Sequence, residues 1–226
     1  MIALDVAVPT AGLFLFTRFP QPGQTKTRLI PALGAAGAAD LQRQMTEYLL
    51  RRFQRICQAR QLALEVHFAG GSRAQMRHWL GDTAVLTPQC QGDLGERLTF
   101  ALRQGFVGGL QQILVVGSDC PDITEAQIKQ ALTALETHDV VLGPAVDGGY
   151  YLIGLNRLHA PLFENIPWST ARVLERTAAI ARQSDLSVAL LAPLSDIDRP
   201  EDLPLWQAHL ASSTTAGSSN SPQRRL

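Results

Sequence analysis

Ile113-Leu114-Val115-Val116 is an unbroken apolar run that passes directly into Gly117-Ser118-Asp119-Cys120-Pro121-Asp122. A run this short and this apolar reads as a strand covered on both faces, the kind found in parallel sheets between layers of helix. Gly12 to Phe16 repeats the pattern as a first buried strand. In open sheets of this type, ligands bind beyond the carboxyl ends of the strands. The turn after Val116 carries two carboxylates, Asp119 and Asp122, to that position. A carboxylate there is placed to hold a hard cation that bridges to substrate phosphates. Equally, both aspartates are residues that form turns and cap helices. For Asp122 the capping role is favoured, because Ile123-Thr124-Glu125-Ala126 reads as a helix start.

The rest of the chain alternates strand and helix. Leu41, Met45, Tyr48, Leu49, Phe53 and Ile56 recur at spacings of three and four, which gives a long helix one apolar face. Leu62 to Phe68 reads as a second strand and Ser72 to Leu80 as a helix capped by Ser72. Helices are expected over Leu94–Phe106 and Thr124–Leu135, with strands at Asp139–Leu142 and Tyr150–Ile153. Ser169 or Thr170 caps a helix to about Arg182, Ser187–Leu191 is a last strand, and Pro200–Leu210 is a last helix. Alternation of this kind favours a three-layer α/β/α domain with a mostly parallel sheet. The connection around Gly148-Gly149 is too short for a parallel crossover, so the sheet is expected to be mixed. The domain spans residues 12–210, after a short N-terminal extension (1–11). The Ser-, Thr- and Gly-rich segment 211–226 is expected to be disordered.

Composition limits the partners. Lys+Arg and Asp+Glu both number 20, so there is no global field for nucleic acid or an anionic membrane, and any phosphate binding must be local. The three cysteines, Cys57, Cys90 and Cys120, form no C-x-x-C pair, which suits a reducing cytoplasm. Val6 to Phe16 is apolar but interrupted by Pro9 and preceded by no basic residue, so it reads neither as a signal peptide nor as a membrane span.

Four loops can carry chemistry. Thr17 to Leu29 holds Arg18, Gly23, Lys26 and Arg28 just past a strand end, where backbone amides and cations can wrap a di- or triphosphate; it is also readable as a solvated basic loop. It lacks the first glycine of a Walker A motif, and no strand is followed by a dinucleotide fingerprint. Gly92 and Gly95, in Gln91 to Arg97, can admit a base or ribose close to the backbone. The same segment is a helix start with Asp93 as cap and Glu96 completing a capping box. Asp147-Gly148-Gly149 is ordinary hairpin chemistry, and the flanking Gly143-Pro144 and Tyr150-Tyr151 can also form a floor for an acceptor ligand. In Asp196 to Leu203, Asp198 and Glu201 have the spacing of a capping box. Alternatively, Asp196 or Asp198 supplies a second carboxylate to a cation at Asp119.

Taken together, these segments resemble a known family. Thr17 to Leu29 resembles its P-x-P-G-x-x-K-T-R-L element, Gln91 to Arg97 its Q-x-G-D-L-G-x-R element, and Gly117 to Asp122 its G-x-D-x-P element. Leu142 to Leu155, Trp168-Ser169-Thr170 and Asp196 to Leu203 resemble three further elements in the same order. The family is the DUF2064 group of GT-A-type nucleotide-diphospho-sugar transferases, which includes proteins described as arsenosugar-biosynthesis glycosyltransferases. It is distantly similar to phospholactate and molybdenum-cofactor guanylyltransferases. The resemblance covers about residues 12–207. Arg18 stands where the family often has Lys, and Arg199 where Thr is common.

The resemblance implies a GT-A fold and a site for Mg²⁺ or Mn²⁺ with metal ligands Asp119 and Asp198. It implies a nucleotide-phosphate loop at Arg18, Gly23, Lys26 and Arg28, and an acceptor-side loop at Asp147, Gly148 and Gly149. The expected activity is glycosyl transfer from a nucleotide sugar to a small-molecule acceptor. Lys26 would stabilise phosphate charge, and Asp147 would orient or deprotonate the acceptor hydroxyl. The alternatives are nucleotidyl transfer from a nucleoside triphosphate with release of pyrophosphate, and a nucleotide-binding module without turnover. Oligomeric state is left open.

Overall fold

The structure, a computed structural model, describes residues 9–217, with side chains through 211. The strands are β1 (Ala11–Arg18), β2 (Ala63–Ala69), β3 (Val85–Pro88), β4 (Gln112–Gly117), β5 (Val140–Pro144), β6 (Tyr150–Leu155) and β7 (Val188–Leu190). The helices are α1 (Ile30–Arg60), α2 (Arg73–Leu80), α3 (Leu94–Val107), α4 (Glu125–Ala134), α5 (Val173–Gln183) and α6 (Leu203–Gly217). The sheet has seven strands in the order β3-β2-β1-β4-β6-β5-β7. Strand β6 runs antiparallel to its neighbours β4 and β5, and every other pairing is parallel. This is the mixed, mostly parallel sheet that the short β5–β6 connection required.

Side chains of β1 point alternately to the two faces, as a pleated strand demands. Leu13 and Leu15 join Leu49, Phe53, Val66 and Met76 on the face covered by α1, α2 and α4. Phe14 and Phe16 join Leu98, Leu102, Ile113 and Ile180 on the face covered by α3 and α5. A third, smaller core sets Trp206 of α6 against Leu29, Leu41, Met45 and Ile197. Each fully buried Leu or Phe contributes about 1.5–3 kcal/mol, so the cores fix the strand ends rigidly. No helix among the described residues is long and apolar enough to cross a membrane.

Local chemistry explains where the elements depart from expectation. Strand β3 is an addition: only Leu86 of its four residues is buried, so it lacks the apolar run that betrays a strand. Helix α5 begins at Val173 rather than after Ser169 or Thr170. Ser169 sits at φ 63, and the Thr170 hydroxyl donates to Pro167 O in a turn of its own. Asp122 does not cap α4. Thr124 is the cap residue, its amide donating to Gln127 Oε1 at 2.7 Å, while Asp122 faces His209 of α6 at 2.8 Å. The capping acid after Arg199 is Asp202, whose Oδ2 accepts from the amides of Asp198 and Arg199, so neither Asp198 nor Glu201 has that role. Asp93 and Glu96 do form the expected capping box on α3, as do Ser72 and Gln75 on α2. Helix α6 continues to Gly217, into the segment read as a tail from Ala211. The remainder of that segment, 218–226, and most of the N-terminal extension, 1–8, lie outside the described residues.

Candidate functional site

The carboxyl ends of β1 and β4 lie side by side at the centre of the sheet, and the loops that follow them meet the β5–β6 turn and the segment before α6. The loop after β1 is fixed from within. The Thr25 hydroxyl, itself buried, accepts from the Gln21 amide at 3.1 Å and lies 3.1 Å from both Phe19 O and Gln21 O. Gly23 adopts φ 78, and Lys26 sits in the left-handed region at φ 50. That conformation costs a non-glycine residue about 1–2 kcal/mol, and it turns the Lys26 side chain inward. Its ammonium lies 2.7 Å from Asp119 Oδ1 and donates to Ile197 O. Arg28 Nη1 lies 2.5 Å from Asp198 Oδ2. The Ile197 amide donates to Asp119 O at 2.9 Å, so Asp196 and Asp198 flank a backbone link to the β4 turn.

Beneath these loops lies a buried polar network that the sequence reading missed. Gln42 Nε2 donates to Thr17 Oγ1, Thr46 Oγ1 and Ser118 Oγ at 3.1, 3.2 and 2.9 Å, tying α1 to the ends of β1 and β4. The available signal was a glutamine and a threonine on the apolar face of the long helix.

The cleft has two halves that share Asp119 and Asp198. One, of about 330 Å³, is lined by Arg18, Lys26 and Arg97, with Gln89 at the end of β3. The other, of about 310 Å³, is lined by Asp119, Asp147, Asp196 and Asp198, with Tyr150 and Trp168 as aromatic wall. Tyr150 and Tyr151 line this half, as expected of the residues flanking the hairpin, whereas Arg97, Gln89 and Trp168 had no place in the site read from sequence. Arg18 also donates to Gln24 O at 3.2 Å. Asp147 Oδ1 accepts from the Gly149 amide at 2.8 Å, which closes the hairpin turn.

The glycines divide. Gly149 lines the acidic half. Gly148, at φ 91, packs so closely on Ala171 that an added Cβ would lie 2.2 Å from its carbonyl oxygen. Gly92 and Gly95 wall neither half. A Cβ on Gly95 would lie 2.2 Å from Phe163 O, so this glycine is required for the packing of α3, while Gly92 is held to glycine by its φ of 116 beside the Glu96 carboxylate. Gly23 is exposed, with open space where a side chain would be.

The electrostatics are those of crowded carboxylates. Burial pushes the Asp196 carboxyl above its usual range, and Asp147, Asp119 and Asp198 add to the rise. Burial also raises the Cys120 thiol well above its usual range; Asp119, Asp196 and Asp147 raise it further against the pull of Lys26. Cys120 is therefore protonated and no nucleophile. Among the described residues there is no preformed cage of three or more His, Cys, Asp or Glu ligands. The donor set still fits a hard cation, since Mg²⁺ commonly takes one or two carboxylates and completes its shell with water and substrate phosphate. Asp119 and Asp198 are the candidates, with Asp196 beside them.

Comparison with known proteins gives one family match. Residues 50–170 match the family described as "Uncharacterized protein conserved in bacteria (DUF2064)". No curated protein matches the sequence. A solved structure from Desulfovibrio desulfuricans G20, provisionally described as a nucleotide-diphospho-sugar transferase, is 30% identical, with TM-score 0.80 over 93% of this chain and 90% of its own. The CMP:2-keto-3-deoxy-manno-octonic acid synthetase complexed with CTP is 10% identical, with TM-score 0.58 over 90% of this chain and 99% of its own. Rv0371c from Mycobacterium tuberculosis H37Rv, solved with manganese, is 15% identical, with TM-score 0.51 over 86% and 96%. The last two likenesses are of fold alone. The fold is thus the α/β fold of the nucleotide-diphospho-sugar transferases, and the chain belongs to the DUF2064 family.

Proposed function

We propose that this protein is a divalent-cation-dependent transferase that takes a nucleotide sugar and passes the sugar to a small-molecule hydroxyl acceptor. One observation carries the reading: a basic half-cleft and an acidic half-cleft meet at Asp119 and Asp198. The basic half, with Arg18, Lys26 and Arg97, suits the nucleotide and its phosphates. The acidic half, with Asp147 on its hairpin, suits an acceptor. Mg²⁺ or Mn²⁺ bound by Asp119 together with Asp198 or Asp196 would supply Lewis-acid charge stabilisation. Lys26 and Arg28 neutralise the charge that develops on the leaving diphosphate, an effect typically worth about 3–4 kcal/mol per well-placed donor. Asp147 accepts the proton of the acceptor hydroxyl, a contribution of roughly 10²–10⁴-fold.

Nucleotidyl transfer is the second reading, favoured by the CTP-bound fold relative. The two differ in product: a nucleoside diphosphate in the first case, pyrophosphate in the second. The test is a thermal-shift screen of nucleoside triphosphates and nucleotide sugars with and without Mg²⁺ or Mn²⁺, because tight ligands raise stability by mass action. The expected result is stabilisation by a nucleotide sugar only when the cation is present, with a nucleoside diphosphate released on turnover. No stabilisation by any nucleotide with either cation would overturn the proposal.

A further inference from the structure

Building on the transferase reading, we propose that the acidic half-cleft selects an uncharged polyhydroxylated acceptor and rejects phosphate monoesters. Asp119, Asp147, Asp196 and Asp198 line this half, and Arg28 is its one basic wall residue. Arg28 is already engaged by Asp198 at 2.5 Å. The remaining cations of the cleft, Arg18, Lys26 and Arg97, line the basic half, where the donor's phosphates would lie, and Lys26 is also held by Asp119. Asp147 and Asp196 have no cationic partner among the described residues.

The charge balance decides the acceptor class. Against Arg28 the four aspartates leave this half three charges negative. A divalent cation would still leave it one charge negative, and the donor's phosphates would take up the cations of the basic half. A phosphate monoester adds about −1.5 to −2 more, with no free cation to receive it. An alcohol meets no such opposition.

A second observation points the same way. The Tyr150 and Trp168 rings meet edge to face, with centroids 6.4 Å apart, in the wall of the same half-cleft. Carboxylates accept hydrogen bonds and aromatic faces take C–H surface. That set matches a polyol or neutral sugar.

The test compares matched pairs: glucose with glucose 6-phosphate, and glycerol with glycerol 3-phosphate. Binding is read by ligand-observed NMR and tryptophan fluorescence, once on the free protein and once with Mn²⁺ and nucleotide. The neutral member should bind at least about tenfold tighter than its ester, because like-charge juxtaposition is costly. In an Asp147→Asn/Asp196→Asn double variant the preference should collapse; if that variant is unfolded, Asp147→Asn alone should narrow it. An ester that binds as tightly as its parent alcohol overturns the proposal. So does a neutral set that does not bind in either arm, or a preference unchanged in the variants. Nucleotide binding is scored separately in the cation-dependent screen. Failure there removes the donor reading, while the comparison on the free protein still judges the acceptor.

Discussion

Lys26 Nζ lies 2.7 Å from Asp119 Oδ1, with the lysine side chain 3% exposed and the aspartate 48% exposed. The buried partner is the cation, held in place by a left-handed backbone and by Ile197 O. The carboxylate therefore presents its other side to the cleft. Asp119→Asn keeps an oxygen near Lys26, so the fold should survive with a loss of about 1–2 kcal/mol. Cation-dependent nucleotide binding should fall by about 10²-fold or more, as loss of a charged phosphate-bridging ligand requires. Calorimetric titration of nucleotide with Mg²⁺ decides it, and an unchanged curve would remove Asp119 from the site.

The same ion pair predicts competition. With no phosphate bound, Lys26 occupies the carboxylate that a cation needs. Lys26→Met should raise the affinity of the free protein for Mn²⁺ several-fold, in line with the ~1 kcal/mol or less that half-exposed pairs contribute, and should weaken nucleotide binding. Paramagnetic relaxation by Mn²⁺ measures the first effect without turnover. If both affinities fall together, Lys26 is a structural support for Asp119 and no competitor.

Gly148 couples the acceptor-side hairpin to the turn before α5. It adopts φ 91, and an added Cβ would lie 2.2 Å from Ala171 O. Gly148→Ala should cost about 1–3 kcal/mol in stability and displace Asp147, lowering kcat more than the affinity for nucleotide. Denaturant unfolding together with separate kcat and nucleotide-affinity measurements checks this. An unchanged kcat would mean that Asp147 does not act on the acceptor.

Much of this site was legible because strand ends and charged loops carry local signals. Ile113–Val116 and Gly12–Phe16 announced central strands, and the carboxylates and cations just past them had to gather at one sheet edge. Strand β3 was not legible, because an edge strand with one buried residue has no apolar run. Gln42 was not legible either. Its worth lies in long-range contacts with Thr17 and Ser118, and side-chain periodicity shows only that it shares a helix face with Met45 and Leu49. Asp122 was misread because an aspartate near a helix start is usually a cap, and here α6 supplies His209 to it from 87 residues away.

Asp139 makes stability depend on acid. Its carboxylate lies 2.7 Å from the Ser187 hydroxyl and 3.0 Å from the Ser187 amide, joining the starts of β5 and β7. The Ser187 side chain and then its amide hold the Asp139 carboxyl below the ordinary value of 3.8, with Arg157 adding to the effect. A depressed folded-state value means that the contribution is present above the ordinary value and lost as pH falls through the folded one. Asp139→Asn should therefore cost about 1 kcal/mol near neutrality, with the cost fading as pH falls below 3.8 through the depressed folded-state value. Urea denaturation at the two pH values reads the difference, and an equal cost at both would mean that the charge contributes nothing.

Trp206 links stability to the nucleotide site. It is 5% exposed and packs on Leu29, Met45 and Ile197, with its ring edge-on to Tyr48 at 6.3 Å. Leu29 closes the phosphate loop, and Ile197 carries the carbonyl that holds Lys26. Trp206→Ala opens a cavity beneath both and should cost about 3–5 kcal/mol. It should also weaken nucleotide binding, because the Lys26 and Asp198 loops lose their common support. Leu205→Ala, at a neighbouring side chain that is 45% exposed, should change neither quantity appreciably. The two variants are compared by denaturant unfolding and by nucleotide thermal shift at a temperature where both are folded. A destabilised Trp206→Ala protein that binds nucleotide with undiminished affinity would show that α6 supports the fold alone and leaves the phosphate loop to hold itself.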